Sequence, residues 1–146
     1  MLRLGKLTDY AMLILSHLAQ MPTSILSATM IADTLHLTVP TVSKILKMLS
    51  DAGLVSATRG AEGGYRLIRP AAEISIADVI AAMEGGLAMT ECCDSISHCT
   101  IASMCTMKEN WKKINKMVYS LLDGISVVDM LMPLPSLANE GTPNGK

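Results

Sequence analysis

Residues 27–70 read SATMIADTLHLTVPTVSKILKMLSDAGLVSATRGAEGGYRLIRP. Ser27 is a helix-capping residue type placed just before a short helical stretch, about Ala28 to Leu35. His36-Leu37-Thr38 is a tight connection. Thr38 then caps a longer helix running to about Ala52. Pro40 is tolerated in its first turn, because the missing N–H has no intrahelical partner there. Val42, Ile45, Leu46 and Leu49 recur at helical spacing and form a stripe to be buried. Gly53 supplies the stop. Leu54 to Arg59 reads as a strand, Gly60 to Gly64 as a turn, and Tyr65 to Arg69 as a second strand, with Pro70 closing the unit.

Upstream, Thr8 caps a helix that runs to about Met21, with Ala11, Ile14, Leu15 and Leu18 on its apolar face and Pro22 beyond its end. Three helices followed by a two-stranded hairpin is the order of a winged helix-turn-helix domain over residues 1–70. Downstream, Ser75-Ile76-Ala77-Asp78 is a capping box opening a connecting helix within residues 71–88, which ends at Gly85-Gly86. Residues 89–108 have no helical or strand period and hold all four cysteines. Trp111, Ile114, Val118, Leu121 and Ile125 then recur at three-four spacing, a stripe suited to pairing with a second copy. Ser126 to Asp129 reads as a capping box for a short last helix, completing a dimerisation segment over 109–131. Residues 132–146 are rich in Pro, Gly, Asn and Ser and are expected to be disordered. The fold class is mainly α, a winged helix-turn-helix domain with a long C-terminal dimerisation helix. No internal repeat is present.

The composition agrees with one globular chain. It has 146 residues, of which 50% are hydrophobic and 17% charged, with a net charge of −1. That is enough to bury a core without disulfides. The longest uninterrupted apolar run near the start, Ala11 to Leu15, is cut by Ser16 and His17 and falls far short of a membrane span. The N-terminus has no signal-peptide apolar region or cleavage site, so a cytoplasmic protein with no membrane partner is expected. With one Trp, three Tyr and no Phe, the twelve Met and the leucines fill the core. The scarcity of aromatics disfavours single-strand binding by base stacking and leaves duplex binding open. Residues 1–70 carry seven Lys/Arg against four acids, and residues 71–146 five against nine, so a basic front half is hidden by the near-neutral total. A basic half is what phosphate contacts require.

The second helix of a helix-turn-helix pair enters a major groove. Thr38, Pro40, Thr41, Ser43, Lys44 and Lys47 are its early outward positions. Hydroxyls there reach base edges or phosphates, and lysines neutralise phosphates. In the hairpin, Arg59 stands beside a glycine-rich tip. Gly60 and Gly63 would let backbone approach a duplex, and an Arg enters a narrow minor groove. Glu62 sits oddly on such a surface. It would orient Arg59, accept from a cytosine amine, or do nothing.

Cys93, Cys99 and Cys105 are each separated by five residues, and Cys92 adjoins the first. Structural disulfides are not expected in the cytosol. Zinc sites favour closer cysteine pairs. Two successive five-residue gaps suit a loop draped round an iron–sulfur cluster. Structural zinc and a thiol switch stay open as alternatives. An enzyme is not expected, and no small-molecule substrate. There is no C-x-x-C in a βαβ context, no phosphate loop, and no His–Cys pair suited to catalysis. His17, His36 and His98 read as ordinary structural or surface residues.

These residues together resemble the bacterial winged-helix iron–sulfur regulators of the Rrf-two type, the IscR and NsrR kind. The resemblance covers about residues 1–131. It is carried by Leu4 to Tyr10, Gly53-Leu54-Val55, the wing Arg59-Gly60 with Gly63-Gly64-Tyr65, Ile76 with Val79-Ile80, and the three cysteines. Thr41 to Lys47, Thr90-Glu91-Cys92, Asn110-Trp111 and Ile114-Asn115 are most similar to the regulators of the SUF cluster-assembly operon. The resemblance implies a homodimer on palindromic promoter DNA, one cluster per subunit (2Fe-2S or 4Fe-4S), and Cys93, Cys99 and Cys105 as ligands. Cluster state would then set DNA affinity. The IscR branch has a histidine ligand three residues after the last cysteine, where this chain has Lys108. The NsrR branch uses an acid near the partner's N-terminus, which Asp9 of the partner subunit matches. Cys92 ranks beside Asp9 as the fourth ligand, ahead of Glu91, His98 and His36. Nitric-oxide sensing is the family's other expectation.

Overall fold

The computed structural model describes residues 3–94 and 99–135. Five helices, α1 (Lys6–Gln20), α2 (Ala28–Leu35), α3 (Val39–Asp51), α4 (Ile76–Glu84) and α5 (Lys108–Asp123), and two strands, β1 (Val55–Thr58) and β2 (Gly64–Leu67), make up its regular structure. The mainly α, winged helix-turn-helix architecture expected from the sequence is the one observed. His98 and residues 136–146, the greater part of the expected tail, lie outside the described residues.

The helix-turn-helix forms where its capping residues place it. Ser27 Oγ accepts from the Met30 N–H at 3.2 Å and opens α2. His36 ends α2 in the left-handed conformation, φ 55°, returning its N–H to the Ala32 carbonyl. At the end of α3, Gly53 takes φ 77°, and Leu54 N–H reaches back to Leu49 O at 2.9 Å. This is the six-to-one bond of a glycine-terminated helix. The chain is thereby turned directly into β1.

The strands pair antiparallel, Val55 opposite Leu67 and Thr58 opposite Gly64. A third segment joins them. Leu26, just before α2, exchanges two backbone bonds with Tyr65, at 3.0 and 2.8 Å. The hairpin is thus stitched to the α1–α2 connection as well as to its own return strand. Strand β1 is one residue shorter at each end than the sequence pattern suggested, and β2 starts one residue nearer the tip, at Gly64, and stops two residues short of Arg69.

Ala11, Ile14, Leu15 and Leu18 of α1, Ile31 of α2, and Val42, Ile45, Leu46 and Leu49 of α3 are almost wholly buried together. The same apolar cluster continues past Pro70 through Ala71, Ile74 and Val79 to Val127. Helix α4 packs on α1, α3 and α5. Its capping box forms, with Asp78 N–H donating to Ser75 Oγ and Ser75 N–H to Asp78 Oδ2. Ser126 and Asp129 exchange the same pair of bonds, but they open only a single tight turn, Asp129–Leu131. Pro133 follows too closely for a longer helix.

Two further details differ from the sequence reading. Helix α1 starts before Thr8, with Gly5 as its cap residue. Ile125, the last position of the apolar stripe, lies beyond the end of α5, because Gly124 closes that helix.

Candidate DNA-binding face and cysteine loop

The buried stripe of α3 fixes which side chains face out. With Val42, Ile45, Leu46 and Leu49 fully covered, Thr38, Pro40, Lys44 and Lys47 are exposed, and Thr41 and Ser43 half-buried. Thr38 occupies the cap position, yet its hydroxyl caps no backbone group. It donates instead to Thr41 Oγ1 at 2.8 Å. The reason is local. A cap side chain serves the second or third N–H of the helix. Here the second residue is Pro40, which has none, and the third offers its hydroxyl. Lys47 pairs with Asp51 at 3.0 Å across open solvent. Such exposed pairs are worth only about 0.3–0.5 kcal/mol, so a phosphate competes easily for Lys47.

At the wing, Arg59 and Gly60 are exposed, and Gly60 adopts φ 113°. Gly63 plays an internal part. Its N–H closes the turn onto Gly60 O at 3.0 Å, and a Cβ there would collide with the Thr58 carbonyl. Neither Arg59 nor Glu62 takes part in an ion pair among the described residues, so Glu62 does not orient Arg59. Arg69 is committed to Asp78 at 2.8 Å and ties the end of the wing to α4.

The cysteine loop follows α4. Cys92 and Cys93 lie on a tight turn, Glu91–Cys93, and Cys99 and Cys105 in the irregular segment before α5. All four are free thiols, partly exposed. The Thr90 hydroxyl stands 3.0 Å from Cys92 Sγ and 3.2 Å from Cys93 Sγ. Lys112, Asn115, Lys116 and Tyr119 of α5 line the same recess as those two thiols. Among the described residues, no three His, Cys, Asp or Glu side chains stand close enough to hold a metal ion. Cys93, Cys99 and Cys105 therefore share one loop without being gathered into a ligand set. Their chemistry suits an iron–sulfur cluster, which is held by thiolates. Asp9 is exposed on α1, beside Lys6, Met12, Leu122 and Met130, and Glu91 and His36 are exposed elsewhere.

Two residues important to this loop escaped the sequence reading of chemistry. Glu84, the last residue of α4, accepts hydrogen bonds at one carboxylate oxygen from Gly5 N–H (2.8 Å) and from the Thr8 hydroxyl. The Thr8 and Gly5 bonds hold its carboxyl below the ordinary value. Asn115 of α5 clamps the start of the loop, accepting from Met89 N–H and donating to Leu87 O, both at 3.0 Å. Neither contact has a local sequence signal, because the partners lie 79 and 26 residues apart.

Residues 4–133 match the profile of the Rrf2 family, described as iron-dependent transcriptional regulators. The chain belongs to the Rrf2 family. It is 33% identical over 127 residues to a Neisseria meningitidis serogroup A protein named as an HTH-type transcriptional regulator, spanning 87% of this chain and 84% of that one. Its fold superposes on CymR, the global cysteine regulator of B. subtilis, with TM-score 0.68 at 27% identity, covering 89% of this chain and 96% of that one. T. potens IscR gives TM-score 0.65 at 29% identity, over 89% and 86%. These Rrf2 relatives are transcriptional regulators, not enzymes, and the chain is a DNA-binding regulator of that family.

In this Rrf2 chain α5 has no buried residue. Trp111, Ile114 and Leu121 are 36%, 40% and 58% exposed. No described helix is long and apolar enough to cross a membrane.

Proposed function

We propose that this Rrf2 regulator is a cytoplasmic homodimeric repressor on double-stranded promoter DNA. It reads iron–sulfur cluster status or redox stress and controls cluster-assembly genes, as the SUF-type resemblance implies. One observation carries the sensing role. Three partly exposed thiols, Cys93, Cys99 and Cys105, lie on one loop fastened to α5, next to the winged unit. They would hold the cluster, with Asp9 of the partner subunit or Cys92 as fourth ligand. When bound, the cluster supplies a redox- and iron-sensitive crosslink of the loop. The open apolar side of α5 supports pairing of two copies, which sets two α3 helices and two wings against successive half-sites. Thr38, Pro40, Thr41, Ser43, Lys44 and Lys47 would meet the major groove. Arg59, Gly60 and Gly63 belong to the wing that approaches the adjacent backbone. By holding or releasing the cluster, the loop of Cys93, Cys99 and Cys105 would shift the spacing of the recognition helices. A coupling of about 1–3 kcal/mol changes DNA affinity about five- to 150-fold.

The test is a visible spectrum of protein purified without oxygen, with iron, sulfide and zinc assayed on the same sample. Iron and sulfide in proportion, with charge-transfer bands, are expected. Cys99→Ala is expected to abolish the difference in operator affinity between loaded and chelator-treated protein. An unchanged difference rejects the assignment. A second reading, a thiol switch, draws on the Thr90 hydroxyl shared by Cys92 and Cys93 and on the fold shared with a cysteine regulator. It predicts colourless protein whose operator affinity responds to oxidation. Stoichiometric zinc would point to a structural metal.

A further inference from the structure

The segment from Glu84 to Met89 is fastened at both ends to different parts of the molecule. At one end, the Glu84 carboxylate collects the Gly5 N–H and the Thr8 hydroxyl and so holds the first turn of α1. At the other, Asn115 grips Leu87 O and Met89 N–H and holds the segment to α5. Between the fastenings stand Gly85 and Gly86, with φ 81° and 128° and open space where a Cβ would project. Two adjacent glycines in the left-handed range make this the easiest place for the backbone to re-aim. Thr90, whose hydroxyl meets both Cys92 and Cys93, follows directly. Arg3, Leu4, Glu84, Leu87, Met89 and Trp111 line one recess over the segment.

We propose that residues 84–89 are the strap through which the state of the cysteine loop reaches α1, with Glu84 and Asn115 as its positioning residues. The inference rests on the sensing role proposed above and adds how the signal leaves the loop. Asn115 keeps Leu87 and Met89 in step with α5, so a change at Cys93 that shifts the loop and α5 together carries this segment with it. Gly85-Gly86 let it re-aim against α4, and Glu84 passes the shift to Gly5 and Thr8. Helix α1 packs on α2 and α3, so its first turn is a lever on the recognition helix. Glu84 touches neither a thiol nor Asp9 in the described contacts, so its removal should leave Cys93, Cys99 and Cys105 able to hold the cluster.

The experiment compares wild type, Glu84→Ala and Glu84→Gln, each cluster-loaded and chelator-treated. It reads three quantities: iron and sulfide content, emission of Trp111, the one tryptophan of the chain, and operator affinity. In wild type, removing the cluster is expected to shift both the emission and the affinity, the latter at least about fivefold. In Glu84→Ala the cluster content and the emission shift are expected to persist, while the affinity ratio falls to about one. Glu84→Gln keeps an acceptor oxygen and is expected to restore part of the ratio. A Glu84→Ala protein that loads the cluster and keeps the full wild-type ratio overturns the strap and leaves the sensing role standing. A Glu84→Ala protein that no longer loads overturns the division between holding and transmitting. A wild type whose ratio is already one overturns the sensing role, and the strap with it.

Discussion

Gly64 has no room for a side chain. A Cβ there would stand 2.5 Å from the Leu26 carbonyl oxygen and 2.9 Å from Ser27 N. Both are backbone atoms at the bridge that stitches the wing to the α1–α2 connection, so they cannot step aside as a flexible side chain would. Gly64→Ala is therefore expected to cost about 1–3 kcal/mol, the range for forced overpacking. Urea denaturation followed by circular dichroism measures it, and a loss below about 0.5 kcal/mol would show that the bridge yields cheaply. The hairpin glycines thus also answer a need of the protein's own backbone. Gly60 is open to solvent, whereas Gly63 and Gly64 are required by the protein's own backbone. Glu84 works at the same scale. Its carboxyl is held below the ordinary 4.5 by the Thr8 and Gly5 bonds, so the folded state favours the ionised form. That contribution is whole above the ordinary value and fades as pH falls through the lowered one.

Among the elements, α5 and α2 differ in how much their own sequence determines. Helix α2 begins and ends where Ser27 and His36 place it, because its caps are local. The start of α1 was misplaced by the same logic. Thr8 is a good cap residue, but its hydroxyl is engaged by Glu84 from across the molecule, so Gly5 takes the cap position. Ile125 left the α5 stripe because Gly124 ends the helix, a stop signal that outweighs periodicity. The cysteines were legible as a group by spacing. The α5 side chains that line one recess with Cys92 and Cys93, namely Lys112, Asn115, Lys116 and Tyr119, were not, since nothing local announces a neighbour across a loop. No residue of α5 is fully buried in its own chain, so its apolar side is where association is expected. Leu121→Glu, at a position 58% exposed, is expected to convert a dimer to a folded monomer and to weaken operator binding. Sedimentation and circular dichroism read the two effects separately. A variant that remains dimeric would move the interface elsewhere.

For the whole molecule, charge separates along the chain. Residues 1–70 hold seven Lys/Arg against four acids, and the remainder five against nine. The basic surplus sits in the unit that carries α3 and the wing, which turns the near-neutral total into a polarised particle. Operator affinity is accordingly expected to fall steeply with salt, by about 0.9 in log–log slope for each phosphate neutralised. Arg59→Ala should flatten that slope by about one unit while leaving iron and sulfide content unchanged. Titrations at several salt concentrations test this. A variant with lower cluster content and an unaltered slope would take Arg59 off the DNA face.

The two backbone bonds between Leu26 and Tyr65 have a consequence for how such a regulator can be tuned. They tie the wing to the start of the helix-turn-helix, while α3 runs directly into β1 through Gly53 and Leu54, so recognition helix and wing are held in one unit. Under the proposed function, a signal from the cysteine loop would not make that unit prefer different letters; it would reposition one unit against the other in the dimer. Regulation then becomes a matter of gauge rather than of vocabulary. Inserting one base pair at the centre of an operator rotates one half-site by roughly a tenth of a turn. It should change the response to the signal more than a substitution within a half-site does.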